Sequence, residues 1–331
     1  MPLISTTSGK SFQQNEEQTL LDAAAKAGIS LPYSCKSGRC SSCKCKVLGG
    51  QSEPTSDELG LSAQEKAEGW ILGCVRTATS DLLLEVEDLS GVTIPESKTL
   101  PARISSLEKA APDVLCVKLR LPSTSAFTCL PGQYIDVIGT GGIRRSYSIA
   151  NVTGSNTQIE LHIRAVNGGA MSGYWFEQAK ANDLLRLNGP LGTFFLRETK
   201  DLDIVFLATG TGLAPVKAML ESMAELKTDD QPRSVTVLWG GRTQQDLYLN
   251  LSSIPVKHRY VPVLSRAGDD WAGARGHVQQ VLLSLQPDLT NAAVYACGSD
   301  AMIQGAKASL SAAGLPANRF YSDAFVCSAT T

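Results

Sequence analysis

Histidine is scarce in this chain, basic charge is not in excess, and no long apolar run occurs. Three histidines (His162, His258 and His277) stand far apart in 331 residues, which argues against a histidine-built metal site. Thirty Lys and Arg against 32 Asp and Glu leave a net charge of −2, so nothing draws in a nucleic-acid backbone or an anionic membrane. No stretch reaches the roughly 18 apolar residues that cross a bilayer. The opening MPLISTTSGKSFQQNEE lacks the basic and apolar regions of a signal peptide. A soluble, cytoplasmic protein is expected, with neither nucleic acid nor membrane as partner.

What is present is more telling. At roughly 100–150 residues per domain the length predicts two or three domains, and 43% hydrophobic against 19% charged residues can bury several cores. There are nine cysteines, an odd number that does not suit a disulfide framework. Cys35, Cys40, Cys43 and Cys45 crowd together, and Cys74 follows.

Three segments separate by texture. Residues 1–92 carry short strand-like runs, then TLLDAAAKAGI, whose Leu20, Leu21, Ala24 and Ile29 suit one helix face, then the cysteine loop and LLLEVEDL. SGVTIPESKTLP reads as a linker. Residues 100–199 hold short β-like runs (DVLCVKLRL, QYIDVIG, QIELHIRAV) between Gly, Pro and Asn turns, as an antiparallel barrel would. Over 200–331 strands alternate with helices, which implies a parallel sheet covered on both faces.

Cys35, Cys40 and Cys43 are spaced C-x4-C-x2-C, with Cys74 as a distant fourth. This is the plant-type spacing of a [2Fe–2S] cluster, in which four thiolates hold two irons. Structural zinc prefers two separated C-x2-C knuckles, and merely buried thiols do not suit an exposed, Ser- and Lys-rich loop. Cys45 lies outside the ligand spacing and is expected to pack against the loop; Cys116, Cys129 and Cys327 are isolated packing residues.

In Arg145-Ser146-Tyr147-Ser148 an arginine can pair with a phosphate, a tyrosine ring can lie against a flat heterocycle, and a serine hydroxyl can bond a ring nitrogen. Gly168-Gly169-Ala170-Met171-Ser172 precedes the helical SGYWFEQA, whose N-terminus suits an anion. An ordinary strand edge and a plain turn are the alternatives. Ala208-Thr209-Gly210-Thr211-Gly212 joins the strand DIVFL to a helix, the geometry that lets a dinucleotide reach backbone amides, with Pro215 where a third glycine would stand. Cys297-Gly298 ends a later strand, where a cysteine either faces a bound nicotinamide or packs in the core.

In this order the motifs resemble the ferredoxin–NAD(P)+ reductase superfamily, and more narrowly its single-chain reductases with an N-terminal [2Fe–2S] domain. RRSYSIAN (144–151), LGTFFLRE (191–198), VFLATGTGLAPVKAM (205–219), VYACGS (294–299) and YSDAFV (321–326) look nearest to CDP-6-deoxy-3,4-glucoseen reductases of dideoxyhexose synthesis. YSCKSGRC, SCKCKV and GGRTQQDLY look equally like reductase components of bacterial non-haem iron (aromatic-ring) oxygenases.

The resemblance implies a β-grasp ferredoxin domain, an antiparallel β-barrel FAD domain and an α/β parallel-sheet NAD(P) domain. It makes Cys35, Cys40, Cys43 and Cys74 cluster ligands. Arg145, Tyr147 and Ser148 would bind FAD, with Ser148 near the flavin N5 and Arg164 at the phosphates. Gly169, Met171 and Ser172 would present amides to the pyrophosphate. Gly210, Thr211, Gly212, Cys297 and Gly298 would form the nicotinamide nucleotide site, and Asp323 and Phe325 would stand near the isoalloxazine. Ser148, Cys297, Asp323 and Phe325 are the expected catalytic residues.

A nicotinamide yields two electrons together and a [2Fe–2S] cluster takes one, so FAD stands between them. After strand SVTVLWG, Arg242 could meet a 2′-phosphate and Asp246 would repel one, which leaves NADPH open. The resemblance to reductases with an R-T-x-x-D-L-Y stretch implies NADH. The acceptor is a partner redox protein, either a pyridoxamine-phosphate sugar dehydratase or an oxygenase component. A non-catalytic iron–sulfur redox sensor is the reading from another class, and NADH-driven dye reduction separates it from the other two.

Overall fold

A computed structural model of the chain describes residues 1–15, 17–152 and 158–325. They fall into two compact units, 1–94 and 95–325.

In the first unit, strands Leu3–Thr6, Ser11–Gln13, Lys44–Gly49, Trp70–Leu72 and Leu82–Glu85 make one mixed sheet. Leu3–Thr6 runs parallel to Leu82–Glu85 at its centre, and the other pairings are antiparallel. Helix Leu20–Lys26 starts where Thr19 Oγ1 accepts the Asp22 N–H at 3.1 Å. It buries Leu20, Leu21, Ala23 and Ala24 in a core shared with Ile4, Phe12, Leu72 and Leu84. The helix ends at Lys26, so Ile29 is not on its face; it packs on the same core from beyond the C-terminus. A sheet grasping one helix in this way is the β-grasp arrangement.

The second unit holds two sheets. Six antiparallel strands, Lys98–Ala111, Val114–Arg120, Tyr134–Ile138, Arg144–Ser148, Gln158–Arg164 and Leu184–Leu191, form the first. Pairing of Ile149 with Leu161, and an Ala150 N–H bond to Glu160 O at 2.8 Å, bring its two edges together as a barrel. Inward residues Val117, Leu119, Ile135, Leu161 and Leu187 fill it, as the period-2 pattern of the runs dictates.

The other sheet is wholly parallel, in the order Ala274–Arg275, Arg259–Leu264, Ser234–Gly241, Asp203–Thr209, Ala292–Gly298, Phe320–Ala324. The order reverses about Asp203–Thr209, the earliest of these strands in the chain. In such sheets the crevice for a ligand opens at the carboxyl ends of the strands flanking that reversal, here Asp203–Thr209 and Ala292–Gly298. No helix among the described residues is long and apolar enough to cross a membrane.

Candidate functional site

In the first unit the four ligand-spaced cysteines come together as two pairs. Cys35 N–H points at Cys40 Sγ (3.4 Å) and Ser37 N–H at Cys35 Sγ (3.4 Å). The hydrogen bond with Cys40 outweighs burial and, with the Ser37 N–H, lowers the Cys35 thiol to about 5, while Cys40 is raised. Cys43 and Cys74 share a second hydrogen bond, which raises Cys43 and lowers Cys74.

Cys40, Cys43 and Cys74 are buried and Cys35 is half-buried. Lys36 and Ser37 are exposed as the loop's composition suggested, while the thiols beside them turn inward. The loop tucks under residues 57–60, where a Cβ on Gly38 would lie 2.4 Å from Asp57 O. Among the described residues no three His, Cys, Asp or Glu side chains converge as a ready single-ion site. Four gathered sulfurs, with N–H donors aimed at those of Cys35 and Cys40, fit the donor set a [2Fe–2S] cluster would need. Cys45, fully enclosed opposite Ile71, is pushed up to about 12 by burial and takes no part.

In the second unit the glycine turn and the cysteine strand end meet in the crevice. A Cβ on Gly212 would lie 2.2 Å from Cys297 O, and one on Gly298, at φ +140°, 2.1 Å from Thr209 Oγ1. Neither position admits a side chain, so the two backbones close on each other. Trp239 Nε1–H donates to Gly210 O at 3.0 Å and holds the turn from below. The next strand brings Asp323 beside Cys297, and Phe325 N–H donates to Gly298 O at 2.8 Å. Cys297 itself is fully enclosed among the sheet's core residues, and burial, reinforced by the Asp323 charge, raises its thiol.

On the barrel, Arg145 and Tyr147 share one face of strand Arg144–Ser148, and the buried Ser148 lies on the other. Tyr147 Oη accepts the Trp175 Nε1–H at 3.0 Å, with the rings edge to face, and burial pushes its hydroxyl up to about 12. Trp175 lies on the short helical stretch that begins at Ala170 and widens to a π-turn over Tyr174–Gln178. Met171 is buried above Gly139, where a Cβ would meet its Sδ at 2.6 Å. Ser172 Oγ accepts the Val166 N–H at 2.9 Å and so closes the turn through Gly168 and Gly169.

Arg164 is spoken for. Its Nη2 donates to Asp246 Oδ1 at 2.5 Å, its Nε lies 3.0 Å from Asp113 Oδ2, and its Nη1 lies over Gly210. Asp246 Oδ2 also accepts the Arg242 and Thr243 N–H groups, each at 2.9 Å. Burial opposes ionisation of Asp246, but the Thr243 N–H and the Arg164 guanidinium outweigh it and hold the carboxyl below the usual range. Lys217, on helix Leu213–Met223, donates to Ala150 O at 2.9 Å and pairs with Glu160 and Glu221. Glu160 accepts from His162 Nε2 at 2.9 Å, and His162 Nδ1 meets Tyr248 Oη at 3.0 Å.

These cross-ties seat the glycine turn against the barrel strands, and sequence reasoning missed them. Trp175 had a signal in the aromatic run after G-G-x-x-S; Asp113, Glu160 and Lys217 had none. Cys327 and the rest of the tail lie outside the described residues.

Three family models match the chain: a 2Fe-2S iron-sulfur cluster binding domain over residues 4–79, an oxidoreductase FAD-binding domain over 101–196 and an oxidoreductase NAD-binding domain over 206–308. The chain is 43% identical to the CDP-6-deoxy-L-threo-D-glycero-4-hexulose-3-dehydrase reductase of Yersinia pseudotuberculosis, covering 96% of both chains. It is 33% identical to reductase component 2 of the terephthalate 1,2-dioxygenase of a Comamonas species, over 95% of this chain and 94% of that one. Among solved structures, the Amycolatopsis cytochrome P450 reductase GcoB superposes with a TM-score of 0.74 at 29% identity, over 98% and 99% of the two chains.

Proposed function

Because the chain belongs to the ferredoxin–NAD(P)+ reductase superfamily, as a single-chain reductase with 2Fe-2S, FAD-binding and NAD-binding domains, we propose that its electron acceptor is a pyridoxamine-phosphate dehydratase acting on a CDP-4-keto-6-deoxyhexose. The observation that carries this choice is graded likeness: 43% identity to a dehydrase reductase against 33% to a dioxygenase reductase, at nearly equal coverage. The chain is an NAD(P)H-dependent electron-transfer oxidoreductase on either reading of the acceptor.

When bound, FAD accepts the two electrons of a reduced nicotinamide together and releases them singly to a [2Fe–2S] cluster. In this reading Cys35, Cys40, Cys43 and Cys74 hold the cluster. Arg145, Tyr147 and Ser148 hold FAD, with Trp175 fixing the Tyr147 ring through its hydroxyl. Gly169, Met171 and Ser172 shape the turn for its pyrophosphate. Gly210, Thr211 and Gly212, packed against Cys297 and Gly298, offer backbone to the nicotinamide nucleotide, with Asp323 and Phe325 at the adjoining strand end.

Arg164, which the resemblance places at the flavin phosphates, lies beside the Gly210 turn and holds Asp246. An ionised Asp246 after strand Ser234–Gly241, where a dinucleotide fold recognises the ribose, favours NADH over NADPH. Reduced thiols of this kind suit a cytoplasmic setting.

The test is anaerobic NADH oxidation by cluster-loaded protein with such a dehydratase and CDP-4-keto-6-deoxyglucose, beside a control without dehydratase. Dehydratase-dependent turnover to a 3,6-dideoxy sugar is expected. Flavin and cluster reduction without that turnover would move the acceptor to an oxygenase component, the reading supported by the dioxygenase relative.

A further inference from the structure

We propose that Glu58 is a positioning residue for the cluster: it fixes the turn that carries Cys74 against the loop that carries Cys35, Cys40 and Cys43. This rests on the [2Fe–2S] reading of those cysteines.

Glu58 is 5% exposed, a carboxylate inside a small unit. Its Oε1 accepts the Leu72 N–H at 2.8 Å and Arg76 Nε–H at 3.1 Å, and its Oε2 accepts Arg76 Nη2–H at 2.8 Å. Leu72 and Arg76 stand two residues before and two after Cys74, so one carboxylate grips both flanks of the ligand. The far side of the guanidinium is used as well, since Arg76 Nη1–H donates to Ser52 O at 2.8 Å.

The segment around Glu58 is bound with equal closeness to the other three cysteines. Gly60 N–H donates to Gly38 O at 2.9 Å, and Ser41 Oγ–H donates to Gly60 O. A Cβ on Gly60 would lie 2.9 Å from Arg39 O. The ligand segments also meet directly, through Gly73 N–H to Cys43 O at 3.0 Å.

An apolar residue at position 58 would fill the space at less desolvation cost. It could not orient two chain segments through three hydrogen bonds. The pair has an electrostatic consequence too. Glu58 neutralises Arg76, whose side chain is 17% exposed. Without Glu58 an uncompensated cation stands two residues from Cys74, which favours the more negative, reduced cluster.

The experiment uses the full-length, cluster-loaded protein with Glu58→Gln, Glu58→Asp and Arg76→Lys. Two quantities are read: the cluster midpoint potential by anaerobic titration, and the rate at which an iron chelator bleaches the cluster absorbance. Glu58→Gln should move the potential positive and speed bleaching roughly tenfold, the scale on which supporting partners of metal ligands act. Flavin content and NADH–ferricyanide activity should stay at wild-type values. Glu58→Asp keeps the charge and shortens the reach, so it should bleach faster with little change in potential.

Where Glu58→Gln yields no folded protein, Arg76→Lys carries the test. It keeps the charge but opens the fork, and faster bleaching at unchanged potential is expected. Wild-type potential and wild-type bleaching in the testable variants would overturn the proposal, whereas a wild-type protein that binds no cluster would overturn the underlying reading of the cysteines.

Discussion

In residues 1–94 the site is made of side chains: four sulfurs, two of them with backbone N–H donors aimed at them, and a buried acid gripping the flanks of the fourth. In residues 95–325 the central part of the site is made of missing side chains. Gly212 and Gly298 let two backbones approach where any Cβ would collide with Cys297 O or Thr209 Oγ1. A soft thiolate donor set has to be supplied atom by atom. A flat nucleotide with a pyrophosphate instead needs backbone amides within reach, which glycine provides. The two regions should therefore fail differently when altered.

The largest effect is expected where one donor atom is removed. Cys74→Ser should abolish the cluster and reduction of cytochrome c while sparing NADH–ferricyanide activity, which needs only flavin. Visible absorbance and the two assays, run on one preparation, read this directly. Equal loss of both activities would break the contrast, because it would make Cys74 a structural residue of the whole chain.

The complementary change adds an atom. Gly212→Ala places a methyl 2.2 Å from Cys297 O, so the turn must move. Relieving that contact takes a shift of about 1 Å, which at a reactive geometry costs about 100-fold in rate. NADH-driven flavin reduction should fall by that factor while the cluster spectrum and reduction by dithionite stay normal. A fully active Gly212→Ala would show that the turn has slack the structure does not display.

How much of this was readable follows the same division. Cysteine spacing is local, so the four candidate ligands and the chemistry they suggest stood in the sequence, as did the glycine turn between a strand and a helix. The strand-helix alternation over 200–331 gave the parallel sheet for the same reason. What was hidden is the identity of partners far apart in the chain. Nothing near Glu58 announces Leu72 and Arg76, and nothing near Arg164 announces Asp113 and Asp246. The flavin-phosphate role of Arg164 came from the resemblance alone, and the bond of its side chain to Asp246 has no local signal. Burial of the thiols was hidden too: Lys36 and Ser37 are exposed as their types predict, but nothing in the spacing tells that residues 57–60 cover Gly38.

A smaller effect separates charge from clearance inside the second unit. Asp246→Asn removes the carboxylate held by Arg164, keeps its size, and should shift the ratio of KM values toward NADPH by about tenfold, equivalent to roughly 1.4 kcal/mol. Arg164→Gln should instead weaken both coenzymes, since the cation beside Gly210 is lost along with the pair. Stopped-flow reduction with each coenzyme distinguishes the two. An unchanged ratio in Asp246→Asn would mean that coenzyme choice, like the turn itself, is set by backbone space alone.

The smallest effect concerns the seam between barrel and parallel sheet, where side chains rather than glycines do the joining. Burial opposes ionisation of Glu160, but the His162 hydrogen bond and the Lys217 charge prevail and lower its carboxyl to about 2. A carboxyl lowered on folding contributes stability that is present above its ordinary value of 4.5 and lost as pH falls from there toward 2. Wild-type protein should therefore lose thermal stability across that window, and Glu160→Gln should lose less of it. At neutral pH the variant should be the less stable of the two, with an unchanged KM for NADH, because the Glu160 carboxylate bonds Lys217 and His162 and neither bond reaches Gly210–Gly212 itself. Melting curves from pH 3 to pH 7 read both slopes. A raised KM at pH 7 would join seam and turn into one functional element, and the contrast between donor-built and space-built sites would then hold only between the two units, not within the second.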